Sequence, residues 1–284
     1  MLIKRKENIF GDNIAYLESY DFSKANMSNE TRLDVITLVA SICYQSPKAH
    51  KSESLYNRLM AESGGLPSSS FEMVPMLFNY HDVKKVYGAN FETSNVLKYG
   101  EKIDNYLLTN FRAVVYDFEN LAVDLRDHFN TEAECAIIAK HFKVFKMKVD
   151  MPTFGQAVRH RVNWQVLSRR YVSGTRVPFD FYIADKMKEV ESSTNYGDCN
   201  NVETTITHTT QEVINICLDH YKEALEAGIK PQVARGIIPQ CAYTIAWCAM
   251  QPKQFNSFIN LRSDSHAQWE INQLSNAMKE LTDG

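Results

Sequence analysis

Long apolar runs are absent from this chain of 284 residues. No stretch approaches the roughly 18 consecutive apolar residues that a membrane-spanning helix requires, and the opening segment MLIKRKENIF has no apolar core of the signal-peptide kind. A cytoplasmic location and no membrane partner are therefore expected. The composition, 44% apolar and 23% charged, is typical of a globular protein, and the length allows one large domain or two small ones.

Paired cysteines are absent as well. The six cysteines are scattered along the chain without a Cys-x-x-Cys pair, so neither a metal site nor a disulfide framework is expected. We expect them to be reduced and mostly to fill small apolar spaces in the core. They are Cys43, Cys135, Cys199, Cys217, Cys241 and Cys248.

Two common phosphate-binding loops are missing, and so is an excess of positive charge. The chain has no GxGxxG and no GxxxxGK(S/T) segment, which argues against a Rossmann dehydrogenase and a P-loop ATPase. Its net charge of −3 argues against a broad basic face for nucleic acid. Within this acidic chain, however, a span of eighteen residues holds five arginines: Arg159, Arg161, Arg169, Arg170 and Arg176. Such a cluster suits a small phosphate-bearing ligand, and a solvated surface patch is the alternative interpretation.

Apolar periodicity predicts two long helices. The first runs from Asn29 to Tyr44, where apolar residues recur at spacings of three and four. The second begins at a capping box formed by Thr209 and Glu212 and ends at Gly228. The apolar stripe of this second helix comprises Val213, Ile216, Cys217, Tyr221 and Leu225.

Two strands and a short helix are predicted around them. Apolar residues alternate with lysines from Val144 to Val149, which is the pattern of a half-buried strand, and the apolar run from Cys241 to Met250 predicts a buried one. Pro231 is expected to open a short helix and Pro239 to end it.

The remaining segments complete the prediction of the fold. Residues 64–70 form a loop, and Asp264 or Ser265 caps a final helix that carries Trp269 into the core. The region 79–141 is charged and rich in aromatic residues. Its helical pattern is seen in Ile103, Tyr106, Leu107 and Phe111. Because helices and strands mix without a regular βαβ alternation, we expect an α+β fold with a mixed sheet flanked by helices.

Three segments resemble the signature sequences of the flavin-dependent thymidylate synthases. RHRVNWQVLSRRY, at residues 159–171, is similar to that family's Arg-His-Arg motif with its Ser-x-Arg-Tyr step. NLRSDSHAQWE, at residues 260–270, is similar to the family's Asn-Leu-Arg segment almost letter for letter. PQVAR, at residues 231–235, matches a third segment in the family's order.

The resemblance covers residues 29–78 weakly and residues 142–275 well. It implies one domain over residues 1–284, with a helical insertion at about 79–141 in the strand-bearing region of the family. Members of this family are α+β homotetramers whose FAD and nucleotide sites are built from more than one subunit. They methylate C5 of dUMP, with methylenetetrahydrofolate as the carbon donor and NADPH as the reductant.

The resemblance also implies roles for individual residues. Those placed against FAD are Cys43, Ser69, Glu72, Arg159, His160, Arg161, Gln251, Lys253 and Ser257. Those that hold dUMP are Gln156, Ser168, Arg170, Arg235 and Arg262. Arginine suits both sets, because its guanidinium binds phosphate groups bidentately and stays charged.

Arg262 is the residue to which the resemblance assigns catalysis. Cysteine-dependent thymidylate synthases activate uracil with the thiolate of a Pro-Cys-His-Gln motif, but here Cys241 is followed by alanine. Arg262 lies against the pyrimidine ring in the implied arrangement. It would stabilise negative charge that develops on a uracil carbonyl as C5 attacks the methylene carbon.

Several positions depart from the family pattern. Arg161 and Ser168 are separated by six residues instead of seven, and Val166 stands where glutamate is common. The family's Asn, Arg and Asn before the final motif are replaced by Gln251, Lys253 and Ser257, and lysine does not form a bidentate fork. Two alternatives therefore stay open. One is an enzyme that modifies C5 of another pyrimidine nucleotide, and the other is a non-catalytic nucleotide- or RNA-binding relative.

Overall fold

The computed structural model describes residues 1–46, 50–61, 67–117, 123–192, 196–197, 203–204 and 208–283. The strands in this part of the chain are β1 Leu2–Glu7, β2 Tyr16–Tyr20, β3 Pro75–Asn79, β4 Glu101–Ile103, β5 Tyr106–Asn110, β6 Lys143–Asp150, β7 Asn163–Val166, β8 Tyr196–Gly197, β9 Glu203–Thr204 and β10 Tyr243–Met250. The helices are α1 Asn29–Tyr44, α2 Glu53–Met60, α3 Tyr80–Tyr87, α4 Asn95–Lys98, α5 Phe111–Asp117, α6 Glu132–His141, α7 Met151–Ala157, α8 Asp185–Ser192, α9 Thr210–Glu226, α10 Pro231–Ala234, α11 Pro252–Arg262 and α12 Trp269–Asp283. Short 3-10 helices span Ser69–Met73, Gly88–Thr93, Leu125–Asp127 and Arg235–Ile237.

A five-stranded sheet forms the centre, in the order β1-β2-β6-β10-β7. Every neighbouring pair in it is antiparallel, and the long pair β6 and β10 runs in register from Tyr243 opposite Asp150 to Met250 opposite Lys143. Antiparallel pairs also form the smaller sheet β3-β5-β4 and the ribbon β8-β9. The α+β class is thus confirmed, but the predicted mixture of parallel and antiparallel pairs is wrong for the described strands.

Two hydrophobic clusters lie on opposite faces of the central sheet. On one face, Trp247 and Ala249 pack with residues of α1 and the smaller sheet. On the other face, Cys248 and Met250 pack with residues of α12, α11 and α7. The alternation follows from the two-residue period of a strand, which sends successive side chains to opposite faces. The second cluster packs α7 and α11 against one face of the sheet, beside β7.

The predicted long helices are confirmed. Helix α1 has the predicted bounds, and the capping box of Thr209 and Glu212 opens α9. Part of the apolar stripe of α9 is exposed, because Val213 and Ile216 are 44% and 59% exposed. Within the described chain, that part of the stripe has no packing partner that covers it.

Residues 79–141 are not uniformly helical. Ile103 ends β4, Tyr106 and Leu107 lie in β5, and only Phe111 begins a helix. Ile103 pairs with Tyr106 across a two-residue turn in which Asp104 has a φ of +50°. Asp and Asn favour such a hairpin turn, and the sequence supplies both at this position. Whether this region is an insertion remains a prediction.

Other local predictions need correction. The final helix begins at Trp269, not at Asp264 or Ser265, because Asp264 accepts the backbone N–H of His266 in a local turn. Trp269 was expected in the core but is 51% exposed. The predicted loop at residues 64–70 lies in part outside the described residues, and its last two serines begin a 3-10 helix. No described helix combines the length and apolar character needed to cross a bilayer.

Candidate functional site

A tight turn after α7 presents the arginine motif. The backbone N–H of His160 donates to the carbonyl of Ala157 at 3.1 Å, and the N–H of Val162 donates to the carbonyl of His160 at 2.9 Å. The chain then enters β7, which pairs with β10. Because the turn is anchored at both ends, Arg159 and Arg161 are exposed on either side of a half-buried His160.

Arg262 reaches this turn from the last position of α11. Its Nε donates to Nε2 of His160 at 3.0 Å, and its NH2 group donates to the backbone carbonyl of Gln156 at 3.0 Å. Since His160 accepts through Nε2, its proton is on Nδ1 and the ring is neutral. The phenyl ring of Phe258 lies 4.7 Å from the imidazole, centroid to centroid. Two residues some hundred positions apart in the chain, one from each of two sequence motifs, are thus held together.

Burial and charge act on both members of this pair. Burial, followed by the positive charge of Arg262, lowers the pKa of His160. Burial, followed by the charge of Arg159, lowers the pKa of Arg262. A neutral histidine therefore serves as the acceptor that orients the Arg262 guanidinium, and that guanidinium stays charged near neutral pH.

Cavity A, of about 910 Å³, lies between α7, β7 and the segment that follows α10. Of the predicted nucleotide residues, it is lined by Gln156, Ser168 and Arg235, and Arg159 and Val166 also lie on its wall. Its volume falls within the range of about 300–1,000 Å³ that is usual for small-molecule sites. The structure therefore gathers most of the predicted nucleotide residues around one space.

Cavity B, of about 410 Å³, adjoins cavity A at Arg159, which lines both. The predicted flavin residues on its wall are Arg159, His160, Arg161, Lys253 and Ser257. Arg262 also lines this cavity. The residues before Arg262 form helix α11, and Lys253, Ser257 and Arg262 of this helix all line cavity B.

Cavity C, of about 550 Å³, adjoins cavity B on its other side. The two share Arg161, Val162, Lys253 and Gln254 on their walls. Of the predicted flavin residues, Glu72 and Gln251 also line cavity C. The three cavities thus form a series in which A meets B at Arg159 and B meets C at Arg161 and Lys253.

Three arginines along this series have no protein partner for their charge. Within the described part of the chain, the guanidiniums of Arg159, Arg161 and Arg235 form neither an ion pair nor a hydrogen bond. By contrast, Arg112, next to cavity C, is ion-paired with Glu72 at 2.5 Å. Unpaired guanidiniums on polar cavity walls are suited to phosphate or pyrophosphate groups, which they bind bidentately.

Some predicted residues lie away from the cavities. The guanidinium of Arg170 donates through Nε to Oε1 of Gln232 at 3.2 Å and does not line cavity A. Cys43 and Ser69 both contact Gln165, whose Nε2 donates to the Ser69 hydroxyl and whose Oε1 lies 3.7 Å from the Cys43 sulfur. This polar contact joins α1, the 3-10 helix at Ser69–Met73 and β7 within one subunit. Cys43 and Ser69 line neither cavity B nor cavity C.

The sequence motifs did not identify every residue on the walls. Arg169 lines cavity A, with its guanidinium 4.0 Å from the centroid of the Phe179 ring and donating to the carbonyls of Val177 and Pro178. The sequence signal for Arg169 was its position directly before Arg170, a residue of the motif. Tyr99 and Glu101 line cavity C, and no motif pointed to them.

The described cysteines show no activated thiol at these cavities. Burial raises the pKa of Cys135, Cys241 and Cys248, which disfavours their thiolates. None of the described cysteines lines cavity A. Cys43, Cys217 and Cys241 are only partly buried, so the prediction of cysteines filling the core holds for Cys135 and Cys248 among those described. Cys199 lies outside the described residues.

The fold and the cavities define an α+β protein in which arginines line a series of adjoining cavities. The sequence pattern of the thymidylate synthase complementing protein family matches residues 136–283, which is more than half of the chain. The chain belongs to this family.

Individual relatives carry the name flavin-dependent thymidylate synthase. The protein from Thermotoga neapolitana is 33% identical over 141 residues, which cover 49% of this chain and 61% of the relative. The protein from Thermosipho africanus is 30% identical over 148 residues, covering 48% and 64%. The protein from Kosmotoga olearia is 27% identical over 144 residues, covering 49% and 62%. The matched part of this chain thus spans less than two thirds of each of these relatives.

Proposed function

We propose that this protein methylates C5 of dUMP to give dTMP, with methylenetetrahydrofolate as the carbon donor and NADPH-reduced FAD as the hydride source. The observation that carries the proposal is the meeting of cavities A and B at Arg159, beside the hydrogen-bonded pair of Arg262 and His160. A nucleotide in cavity A and a flavin in cavity B would be neighbours, and the Arg262 guanidinium would lie near both. The names of the relatives point to the same chemistry.

Cavity A is the proposed nucleotide site. Arg235 offers an unpaired guanidinium for the 5′-phosphate, and Ser168 and Gln156 offer a hydroxyl and an amide at the same wall. Arg170 is held by Gln232 within this subunit. We therefore propose that Arg170 serves the nucleotide of a neighbouring subunit, in keeping with the shared sites that the family resemblance implies.

Cavities B and C are the proposed FAD site. The donors on their walls fit a dinucleotide, because Arg161 and Lys253 lie where the two cavities meet and have polar and aromatic surface on either side. When bound and reduced, FAD supplies the hydride that converts the transferred methylene group to methyl. Lys253 contributes a point charge where the family favours arginine, so we expect its contact with a phosphate to be less directional.

Arg262 has the proposed catalytic role. Uracil C5 becomes nucleophilic as electron density moves toward it, and negative charge then develops on a carbonyl oxygen of the ring. The two hydrogen bonds to His160 and to the Gln156 carbonyl fix the guanidinium before the reaction begins. A preorganised cation of this kind stabilises the developing charge without a cost for reorganisation at that moment. No thiolate addition is needed in this scheme.

The proposal is tested by the spectrum of the purified protein. We expect flavin absorbance, either retained through purification or gained when FAD is added, and bleaching of that absorbance by NADPH in the absence of oxygen. A protein that neither retains nor binds FAD would contradict the proposal and favour a non-catalytic nucleotide-binding relative.

A second candidate is modification of another pyrimidine nucleotide. Val166 supports it, because this apolar side chain lines cavity A where the family commonly has glutamate. Loss of one polar contact costs about 1–3 kcal/mol, which is too little by itself to reverse base choice if the other contacts to dUMP are kept. We therefore propose that dUMP is still preferred. Single-turnover reactions with dUMP, UMP and dCMP test this, and modification of UMP or dCMP but not dUMP would establish the second candidate.

A further inference from the structure

Residues 98–101 form one wall of cavity C. They join α4 to β4 and contribute Lys98, Tyr99, Gly100 and Glu101 to the cavity lining. They lie outside residues 136–283, where the family pattern matches, so that match assigns them no role. The segment nevertheless lines the same cavity as Arg161 and Lys253.

Two hydrogen bonds attach this wall to the start of α11. The Nε2 of Gln251 donates to the carbonyl of Tyr99 at 2.7 Å, and the backbone N–H of Lys253 donates to Oε2 of Glu101 at 2.9 Å. A carboxylate at the first turn of a helix is stabilised by the helix dipole. The wall is therefore fixed to the same helix that carries Ser257 and Arg262 toward cavity B.

Gly100 makes the close approach of this wall possible. A Cβ at this position would lie 2.3 Å from the carbonyl oxygen of Val96 and 2.9 Å from Cδ1 of Leu107. No other residue fits there without movement of the backbone. The position of Tyr99 is thus determined by its neighbours on both sides.

The side chain of Tyr99 is a large aromatic surface on a polar wall. It is 48% exposed, and the ammonium of Lys98 lies 5.0 Å from the centroid of its ring. Aromatic rings exposed in this way are platforms on which planar heterocycles stack. The nearby cations of Lys98 and Lys253 match a ligand that joins such a heterocycle to phosphate groups.

The order of the cavities indicates which end of a dinucleotide reaches Tyr99. The reacting ring has to lie near Arg262, which lines cavity B but not cavity C. The pyrophosphate then falls at Arg161 and Lys253, which line both. The remaining heterocycle extends into cavity C toward Tyr99.

We propose that residues 98–101 bind the adenosine half of the dinucleotide, with the adenine ring stacked on Tyr99. This inference rests on the proposed function, since it takes FAD to be the ligand of cavities B and C. It adds to that function a binding element, between α4 and β4, that lies outside the part of the chain matched by the family pattern.

Binding of FAD and of FMN to Tyr99 variants tests the inference. FMN has the same isoalloxazine ring but no adenosine. We expect Tyr99→Ala and Tyr99→Leu to raise the Kd for FAD by about 5- to 150-fold, the effect of losing one stacked base. Tyr99→Phe keeps the ring and should bind FAD as the wild type does. The Kd for FMN should be the same in all four proteins, as measured by titration followed through flavin fluorescence.

Lys102→Ala is the matched control, because Lys102 follows Glu101 in β4 but does not line cavity C. Its Kd for FAD should be that of the wild type. An unchanged Kd for FAD in both Tyr99→Ala and Tyr99→Leu would overturn the inference and leave the proposed function standing. Equal weakening of FAD and FMN would also overturn it, because the contact would then not be to adenosine. A wild-type protein that does not bind FAD would overturn both.

Discussion

Single side chains determine how the cavities are joined. Arg159 lines both A and B, and its unpaired charge contributes to the lowered pKa of Arg262. Arg262 in turn depends on a neutral His160 for one of its two hydrogen bonds. The protonation of one histidine is therefore coupled to the position of the proposed catalytic guanidinium.

Arg235 provides the clearest test of the nucleotide site. It lines cavity A and has no anionic partner within the described chain, so its replacement leaves no buried charge behind. We expect Arg235→Ala to weaken dUMP binding by about 10- to 150-fold, the loss of one charged hydrogen bond. Calorimetric titration measures this. Arg126→Ala is the control, since Arg126 is ion-paired with Asp124 outside the cavities. Equal affinities of wild type and Arg235→Ala would refute this assignment.

His160 makes stability depend on pH. Its folded pKa is lower than its ordinary value of about 6.5, so the unfolded chain takes up the proton at a higher pH than the folded protein does. The stability from neutral His160 is then fully present above about pH 6.5 and is lost as the pH falls toward the folded pKa. His128, whose pKa is also lowered by burial, acts in the same direction.

Thermal unfolding at two pH values measures this effect. We expect the Tm of the wild type to fall between about pH 7.5 and about pH 5.5, and to fall less in His160→Gln, which has no such group to titrate. His220→Gln, at a position that is 66% exposed, should behave as the wild type does. An identical pH dependence in His160→Gln would mean that this histidine is not held neutral by its surroundings.

The motifs predicted the site best where one short element carries several residues. Arg159, His160 and Arg161 share one turn, and Lys253 and Ser257 lie one helical turn apart on α11, so their spacing along the chain already brings the members of each group together. The motifs do not specify side-chain contacts that depend on tertiary packing. Arg170 is turned toward Gln232 and the Cys43 thiol toward Gln165, and neither contact can be read from local sequence.

Among the helices and strands, those whose bounds depend on neighbouring residues were predicted correctly from the sequence. The capping box at Thr209 and the periodicity of Asn29–Tyr44 specify α9 and α1, because caps and apolar spacing act within a few residues. The sequence predicts a helical pattern for the hairpin of β4 and β5, because a short apolar run is compatible with both the 3.6-residue period of a helix and the two-residue period of a strand. Its pairing with β3, which is distant in sequence, decides the outcome.

A substitution at Gly100 tests whether the close packing at the start of that hairpin contributes to stability. Gly100→Ala brings a methyl group into contact with the Val96 carbonyl and Leu107, so we expect a loss of about 1–3 kcal/mol in the free energy of unfolding. Urea denaturation measures it. Gly155→Ala is the control, because a Cβ there meets nothing within 4 Å and alanine favours helix α7 by up to about 1 kcal/mol. An unchanged free energy of unfolding in Gly100→Ala would show that residues 98–101 can move to accommodate the methyl group at little cost.

In the whole molecule, exposed apolar side chains on two neighbouring helices support association of several copies of the chain. Val213 and Ile216 lie one turn apart on α9, and the neighbouring α10 adds Val233, which is 63% exposed. Contiguous exposed apolar patches mark contacts between protein chains. Together with the family resemblance, this exposed surface supports our proposal of a homotetramer whose sites include residues of more than one subunit.

Light scattering during size-exclusion chromatography tests the assembly. We expect a particle of four times the chain mass of 32.6 kDa. The double variant Ile216→Glu and Val233→Glu should give a smaller species, because buried unpaired carboxylates oppose association. Val123→Glu, which changes an exposed valine elsewhere, should leave the mass unchanged. A wild-type monomer would contradict the proposal.

A single turnover of the reduced protein tests the proposed methylation of dUMP most directly. The protein is reduced anaerobically with NADPH and mixed with dUMP and with methylenetetrahydrofolate labelled in its methylene carbon, and the nucleotide is analysed by mass spectrometry. We expect labelled dTMP together with tetrahydrofolate. We also expect Arg262→Ala to abolish dTMP formation while NADPH still reduces the flavin. Absence of labelled dTMP from the reduced wild-type protein, or equal loss of both half-reactions in Arg262→Ala, would contradict the proposal.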